Sequence, residues 1–218
     1  GDGRGGRVSA VMKAGLAPPA IIVGYLAVWA VAHSLLASLG AKRWARRVLG
    51  PPAARWYRLF FVAVAVVSLI PLLILWVILP DRRIYIVPSP WRWLMLLGQL
   101  VAAGCLVVAV VQAGVAHFLG LAQLVAANPE ATGMLQVRGF YTYVRHPLYL
   151  FSMILIWLSP VMTLNRAALY ASVSLYFILG SYHEESLLAH EYGQAYVDYR
   201  EQVPRFVPWP GRVYKRVA

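Results

Sequence analysis

Arg145 and His146 stand in a polar stretch, Gly139-Phe140-Tyr141-Thr142-Tyr143-Val144-Arg145-His146-Pro147-Leu148-Tyr149, and a second polar stretch follows at His183-Glu184-Glu185. Between the two the chain carries a single charge, Arg166. Two uncharged runs, 147–165 and 167–182, flank that one polar break and read as a hairpin of two short helices turning at Asn165-Arg166. A hairpin sets its ends side by side, so the basic pair Arg145-His146 faces the acidic pair Glu184-Glu185. A basic pair opposite an acidic pair, ringed by tyrosines, suits a zwitterionic ligand: carboxylate takes ammonium, guanidinium or imidazole takes carboxylate, and a tyrosine face takes a cation. Singly, each residue also has a structural reading. Arg145 fits a snorkelling anchor, His146 a helix cap, the tyrosines an aromatic belt, and the glutamates counter-ions to arginine. The density of polar groups in an otherwise apolar chain makes the set a candidate site.

The elements that hold this set are apolar. Of the 218 residues, 61% are hydrophobic and 13% charged, against about half and a quarter in a soluble domain. No charge interrupts 14–41, 59–80 or 93–129. A helix needs about 20 apolar residues to cross a bilayer core, so spans are expected near 18–39, 59–80 and 93–114, with an interfacial segment around Phe118-Leu119-Gly120-Leu121. The second hairpin helix has 16 uncharged residues, about 24 Å of helix and short of the bilayer core. Glu184 and Glu185 are therefore expected at the membrane surface. Beyond Ser186 the tail reads as amphipathic, with Tyr192, Tyr196 and Tyr199 on one helical face until Pro204, Pro208 and Pro210 end the helix. The expected fold is an all-α integral membrane protein of about five transmembrane helices, with a C-terminal hairpin of short helices and an amphipathic cytoplasmic tail. It divides into a flexible N-terminus (1–17), three N-terminal transmembrane helices (18–114) and a catalytic region (115–218).

The net charge of +12 suggests nucleic acid at first sight. The basic residues lie between the apolar runs, where loops on one side of a membrane collect them, so the membrane reading holds and nucleic acid is not an expected partner. With loop 40–58 inside, the cytoplasmic parts hold Lys42, Arg43, Arg46, Arg47, Arg55, Arg58, Arg138, Arg145, Arg200, Arg205, Arg212, Lys215 and Arg216. The other side holds Arg4, Arg7, Lys13, Arg82, Arg83, Arg92 and Arg166. This thirteen-to-seven bias places 115–146 and the tail in the cytoplasm. The lone Cys105 reads as a small buried hydrophobe. The opening Gly1-Asp2-Gly3-Arg4-Gly5-Gly6 spells a nucleotide-loop pattern, but no strand precedes it. His33, His117 and His190 form no metal-ligand spacing, and no metal is expected.

Residues 133–208 resemble the catalytic region of the isoprenylcysteine carboxyl methyltransferase-like family of membrane methyltransferases. The resemblance rests on Gly139-x-Tyr141, Arg145-His146-Pro147-x-Tyr149, Glu184-Glu185, Gly193-x-x-Tyr196-x-x-Tyr199, and Val203-Pro204 with Pro208. His33-Ser34-Leu35-Leu36, Tyr57-Arg58-Leu59-Phe60 and Phe118-Leu119-Gly120-Leu121 resemble bacterial members more loosely. The resemblance implies S-adenosylmethionine as cofactor, lined by Gly133, Met134, Leu135, Gln136, Tyr141, His146, Pro147, Leu148, Tyr149, Glu184 and Glu185. Within that frame Glu184 takes the ammonium and His146 the carboxylate, Arg145 pairs with a glutamate, and His183 accepts a proton from the acceptor. The acceptor is expected to be small or lipophilic: a thiol, lipid amine, phenol or carboxylate. Membrane lipid is the expected surrounding, with no obligate protein partner, and the site on the cytoplasmic side of a bacterial inner membrane. Two positions depart from the family. Gly180 stands where eukaryotic-type enzymes carry an arginine for the prenylcysteine carboxylate, and Leu150 stands where the family usually has glycine. An NADPH-dependent reductase of similar C-terminal fold and a non-catalytic ligand-handling protein are the alternatives. The first needs a basic cluster beside the motif, and the sequence places none there.

Overall fold

A computed structural model describes residues 3–125, 135 and 137–215. Helix α1 (Gly3–Ala37) carries Pro18 and Pro19 and takes in much of the N-terminus that the sequence reads as flexible. Ser38 then caps α2 (Leu39–Leu49), its Oγ accepting from Ala41 N at 3.2 Å. Pro52 occupies the first position of α3 (Pro52–Ile78), where its missing N–H costs nothing. After strand β1 (Arg83–Ile86) comes α4 (Trp91–Ala113), followed by the short α5 (Val115–Leu119) and α6 (Leu121–Val125). A 3-10 turn (Gly139–Thr142) leads to α7 (Pro147–Trp157), strand β2 (Val161–Thr163), α8 (Leu164–Tyr192) and α9 (Gln194–Gln202).

Three helices are long and apolar enough to cross a membrane, at Leu16–Ala37, Arg55–Ile78 and Trp91–Ala113, in agreement with the three expected N-terminal spans. The hairpin differs from expectation. Helix α7 has 11 residues, about 16 Å, too short to cross alone. Its partner α8 has 29. Asn165 and Arg166 do not form the turn; they lie in the first turn of α8, because Thr163 caps that helix through Oγ1 on Arg166 N (3.3 Å). Asp81 Oδ1 accepts from Asn165 N (3.0 Å), and Asn165 Nδ2 donates to Pro80 O (3.1 Å). The reversal is carried instead by 158–163. Extended backbone at this depth needs partners, and β2 finds them in β1, antiparallel, with Val87 N on Pro160 O and Leu164 N on Arg82 O, both 2.8 Å.

Helix α8 also alters the depth of the glutamates. Arg166 and Glu184 are eighteen residues apart on one helix, a rise of about 27 Å. That is close to the thickness of a bilayer core, and α8 continues beyond the glutamates. Trp157 Nε1 donates to Ser174 Oγ at 2.9 Å and Tyr149 Oη to Glu184 Oε2 at 2.8 Å, which keeps α7 antiparallel to the upper half of α8. Gly193, at φ +58°, breaks the tail between α8 and α9, so Tyr192 does not share a helix with Tyr196 and Tyr199 as expected. Tyr196, Tyr199 and Val203 form a buried cluster joined by Leu135 and Val137. A second cluster, Ile22, Leu26 and Leu72, joins α1 to α3.

Candidate active site

The two glutamates are consecutive, so α8 turns them about 100° apart toward different neighbours. Glu185 points inward, with 4% of its side chain exposed. Arg145 Nε donates to its Oε1 at 2.9 Å, and Arg205 donates to both oxygens, Nε at 3.0 Å and Nη2 at 2.8 Å. His146 Nε2 lies 3.1 Å from Oε1. Glu184 keeps 47% of its side chain open. Tyr149 Oη donates to it, and His146 Nδ1 lies 3.5 Å from the same Oε2. One carboxylate is therefore enclosed by cations, and the other is held from behind with its front open.

Local backbone explains the aim of these side chains. Pro147 starts α7, leaving Arg145 and His146 on non-helical backbone just ahead of it. Their amides bond the tail, Arg145 N to Pro204 O (2.9 Å) and His146 N to Arg205 O (3.1 Å). Arg145 Nη1 also donates to the carbonyls of Arg200 and Val203. Arg205 lies over the Tyr182 ring at 3.5 Å from its centroid. Upstream, Gly139 at φ +57° packs where a Cβ would overlap the Gln112 side chain, whose Oε1 accepts from Phe140 N at 2.9 Å. That contact fixes the turn bearing Tyr141 to the end of α4.

The wall behind Glu184 is aromatic. His146 stacks on Tyr149 (5.3 Å, 5°), Tyr149 on Phe177 (4.7 Å, 6°), and Phe206 tilts against His146 (5.7 Å). Tyr141 passes its carbonyl to Tyr199 Oη at 2.7 Å, and burial, with Glu184 adding to it, pushes its own phenol up to about 12. It is a proton donor, not a phenolate.

Charges interlock in this cluster. Burial alone would favour neutral carboxyls, yet His146, Tyr149 and Arg58 hold Glu184 below the ordinary carboxylate range, and His146, Arg205 and Arg145 do the same for Glu185. Burial works against charge on His146, but its hydrogen bonds to the Glu184 and Glu185 carboxylates outweigh it and raise its pKa. The glutamates therefore contribute stability that is present above the ordinary 4.5 and lost as pH falls through their lower folded values. His146 contributes stability that is present below its ordinary 6.5 and lost as pH rises through its higher folded value. Thermal unfolding in detergent should show the cluster's contribution greatest between pH 4.5 and 6.5 and declining above. Replacement of His146 by glutamine should flatten the alkaline limb.

The structure brings together Arg145, His146, Tyr149, Glu184 and Glu185, with Tyr141 close enough to feel Glu184. Pro147 is buried, Leu148 half-buried, and Leu135 packs on the Tyr196 cluster. Gly133, Met134 and Gln136 lie outside the described residues. His183 stands exposed on α8, its carbonyl accepting from Ser186 Oγ at 2.7 Å. Both ring nitrogens of His146 are already directed at glutamates, which bears on its expected role toward a ligand carboxylate. Sequence reading counted Arg205 only as a loop charge and, though it quoted Arg58 within a loosely resembling stretch, gave it no role in the site. The charge of Arg58 acts on Glu184, Glu191 and Tyr149, and Lys42 is coupled to Arg58, Glu191 and Arg46. Lys42 of α2 and Arg58 of α3 thus bring positive charge to bear on this region from outside the motif.

The family model described as "Protein of unknown function (DUF1295)" matches residues 21–202. Methanethiol S-methyltransferase of Crocosphaera subtropica is 30% identical over 202 residues, covering 88% of this chain and 75% of that protein. The methanethiol S-methyltransferase of Mycobacterium tuberculosis is 32% identical over 192 residues, 86% of this chain and 77% of that protein. That of Pseudomonas deceptionensis is 28% identical over 198 residues, 88% and 74%. No solved structure matches. Helical membrane fold and relatives together define the class, a membrane methyltransferase, in line with the resemblance carried by Arg145-His146-Pro147-x-Tyr149. The chain belongs to the DUF1295 family.

Proposed function

We propose that this protein moves the methyl group of S-adenosylmethionine to a small thiol at the cytoplasmic surface of a bacterial inner membrane. The observation that carries the reading is Glu184: ionised, gripped from behind by Tyr149 and His146, and open in front. An anion so prepared suits the ammonium of the donor, and the Tyr141 ring supplies a face for a sulfonium or adenine. When bound, S-adenosylmethionine supplies an activated methyl: the acceptor sulfur bonds that carbon as the carbon–sulfonium bond breaks, leaving a thioether and S-adenosylhomocysteine, and the thiol proton passes to solvent. The protein's own part is to align the two reactants and keep water out. Gly180 lies one turn before Glu184 on the same face of α8, and a Cβ there would meet nothing within 4 Å. That space fits a small acceptor, and it lacks the guanidinium that a prenylcysteine carboxylate needs. The printed names of the relatives, methanethiol S-methyltransferases, favour the same acceptor class.

Calorimetry of the detergent-solubilised protein with S-adenosylhomocysteine and with NADPH tests the donor; heat from NADPH alone would reverse the reading in favour of a reductase. Methyl transfer to methanethiol, compared with alkylamines, phenols and a prenylcysteine acid, tests the acceptor. Turnover is expected with the thiol and little with the acid, and robust turnover of the acid would refute the choice. The membrane side follows from the charge bias. A cysteine placed at position 50, between α2 and α3, should resist impermeant labelling of intact cells and react after lysis.

A further inference from the structure

Helix α2 is placed by its neighbours. The span in α1 ends at Ala37 and the span in α3 begins at Arg55, so the 11 residues of α2 lie at one membrane surface, between two helices that cross it. The helix has defined ends. Ser38 caps its start, and Gly50 N donates to Arg46 O at 3.0 Å where it stops. Within it stand Lys42, Arg43, Arg46 and Arg47, and no acidic residue.

At about 100° per residue the side chains of α2 sort into stripes. Ala45, 3% exposed, packs on the protein. Lys42 and Arg46 lie on one side of it and belong to the protein's own charge network. Arg43 and Arg47 form the stripe opposite Ala45, four residues and so about 6 Å apart. Both are exposed, and among the described residues neither has an ion-pair or hydrogen-bond partner. Trp44 and Val48 form the stripe beside them, 65% and 60% exposed. A short helix with basic residues on one side and an indole on the other lies in the plane of a membrane interface, its apolar side in the acyl boundary and its charges among the headgroups.

We propose that α2 is a docking site for an anionic phospholipid, with Trp44 and Val48 entering the acyl boundary and Arg43 and Arg47 holding the lipid phosphate between them. A guanidinium presents parallel N–H groups that match two phosphate oxygens. The stripe order sets the headgroup level: the arginines sit one stripe from the inserted indole, and they point away from the protein because Ala45 points into it. A zwitterionic lipid also carries phosphate, but its own ammonium offsets the charge, so the site favours a lipid of net negative charge. None of these four residues belongs to the Glu184 cluster, and the proposal stands apart from the methyl-transfer reading.

The test is native mass spectrometry of the full chain in detergent, with phosphatidylglycerol and phosphatidylcholine of matched acyl chains added in equal amounts. The wild-type protein should retain phosphatidylglycerol preferentially. Arg43→Gln with Arg47→Gln should lower that preference by about 10- to 30-fold, while Arg43→Lys with Arg47→Lys should keep most of it. Retention with lysine alongside loss with glutamine separates a charge effect from misfolding. Trp44→Ala should weaken both lipids together. Arg82→Gln with Arg83→Gln removes the same charge beyond the other end of α3 and should leave the preference intact. The proposal is overturned if the wild-type protein shows no preference, or if the Arg43 and Arg47 glutamine pair keeps it. It is overturned equally if the Arg82 and Arg83 pair loses it to the same extent, or if soluble glycerol phosphate displaces the lipid, which would make the site one for free phosphate.

Discussion

Glu184→Gln should remove most of the thermal shift that S-adenosylhomocysteine gives the wild-type protein while leaving the unliganded melting temperature nearly in place. At a ligand concentration of 100 times Kd, linkage stabilises the folded state by about 2.7 kcal/mol, and for a chain of this size that is roughly 5–10 °C. Loss of a charge-assisted contact weakens binding by about 100-fold. The same ligand concentration then equals Kd, and the stabilisation falls to about 0.4 kcal/mol, a shift of about 1 °C. Stability survives because Glu184 is half open to solvent and water takes over its contacts. Glutamine also keeps an acceptor for Tyr149 Oη. A variant that retains the wild-type shift would remove Glu184 from the site.

Its neighbour should behave in the opposite way. Glu185→Ala leaves Arg145, Arg205 and His146 facing one another with no carboxylate among them, where all three now converge on it. Removing one partner from a buried ionic cluster costs about 3–5 kcal/mol, roughly 10 °C in melting temperature. Glu185→Gln should recover part of that loss, since its amide oxygen still accepts. Thermal unfolding of the two variants in the absence of ligand is the measurement. A melting temperature within a degree or two of wild type for Glu185→Ala would show that the cluster carries no stability. Two adjacent glutamates thus divide by orientation, one expected to govern binding and the other folding.

How much of this was visible in the residues depends on the kind of signal. Long uncharged runs located α1, α3 and α4 because burial in lipid is written in every residue of a span. The convergence of Arg145 and His146 on Glu184 and Glu185 followed from any hairpin over 147–182, whatever its turn. The turn itself was misread. Asn165-Arg166 looks like a polar break, but Thr163 two residues earlier is the better signal, a capping residue that starts α8 and pushes the reversal upstream. Strand β1 was invisible because its four residues gain their pairing only from β2, some eighty positions later. Arg205 and Arg58 escaped for the same reason. An arginine in a loop looks like any other positive-inside charge until the fold sets it against a carboxylate, and neither partner is near in sequence. The tyrosine face of the tail was drawn through Gly193, whose positive φ divides it.

The tail contact has a consequence for the order in which the protein is made. Every apolar helix precedes Arg205 in the chain, yet Arg145 and His146 complete their backbone pairing only with Pro204 and Arg205. A chain halted at Tyr192 would hold all of its membrane helices and both glutamates, with the Arg145–His146 segment lacking the backbone that anchors it. Assembly of the site therefore waits on residues that follow the membrane helices in the chain.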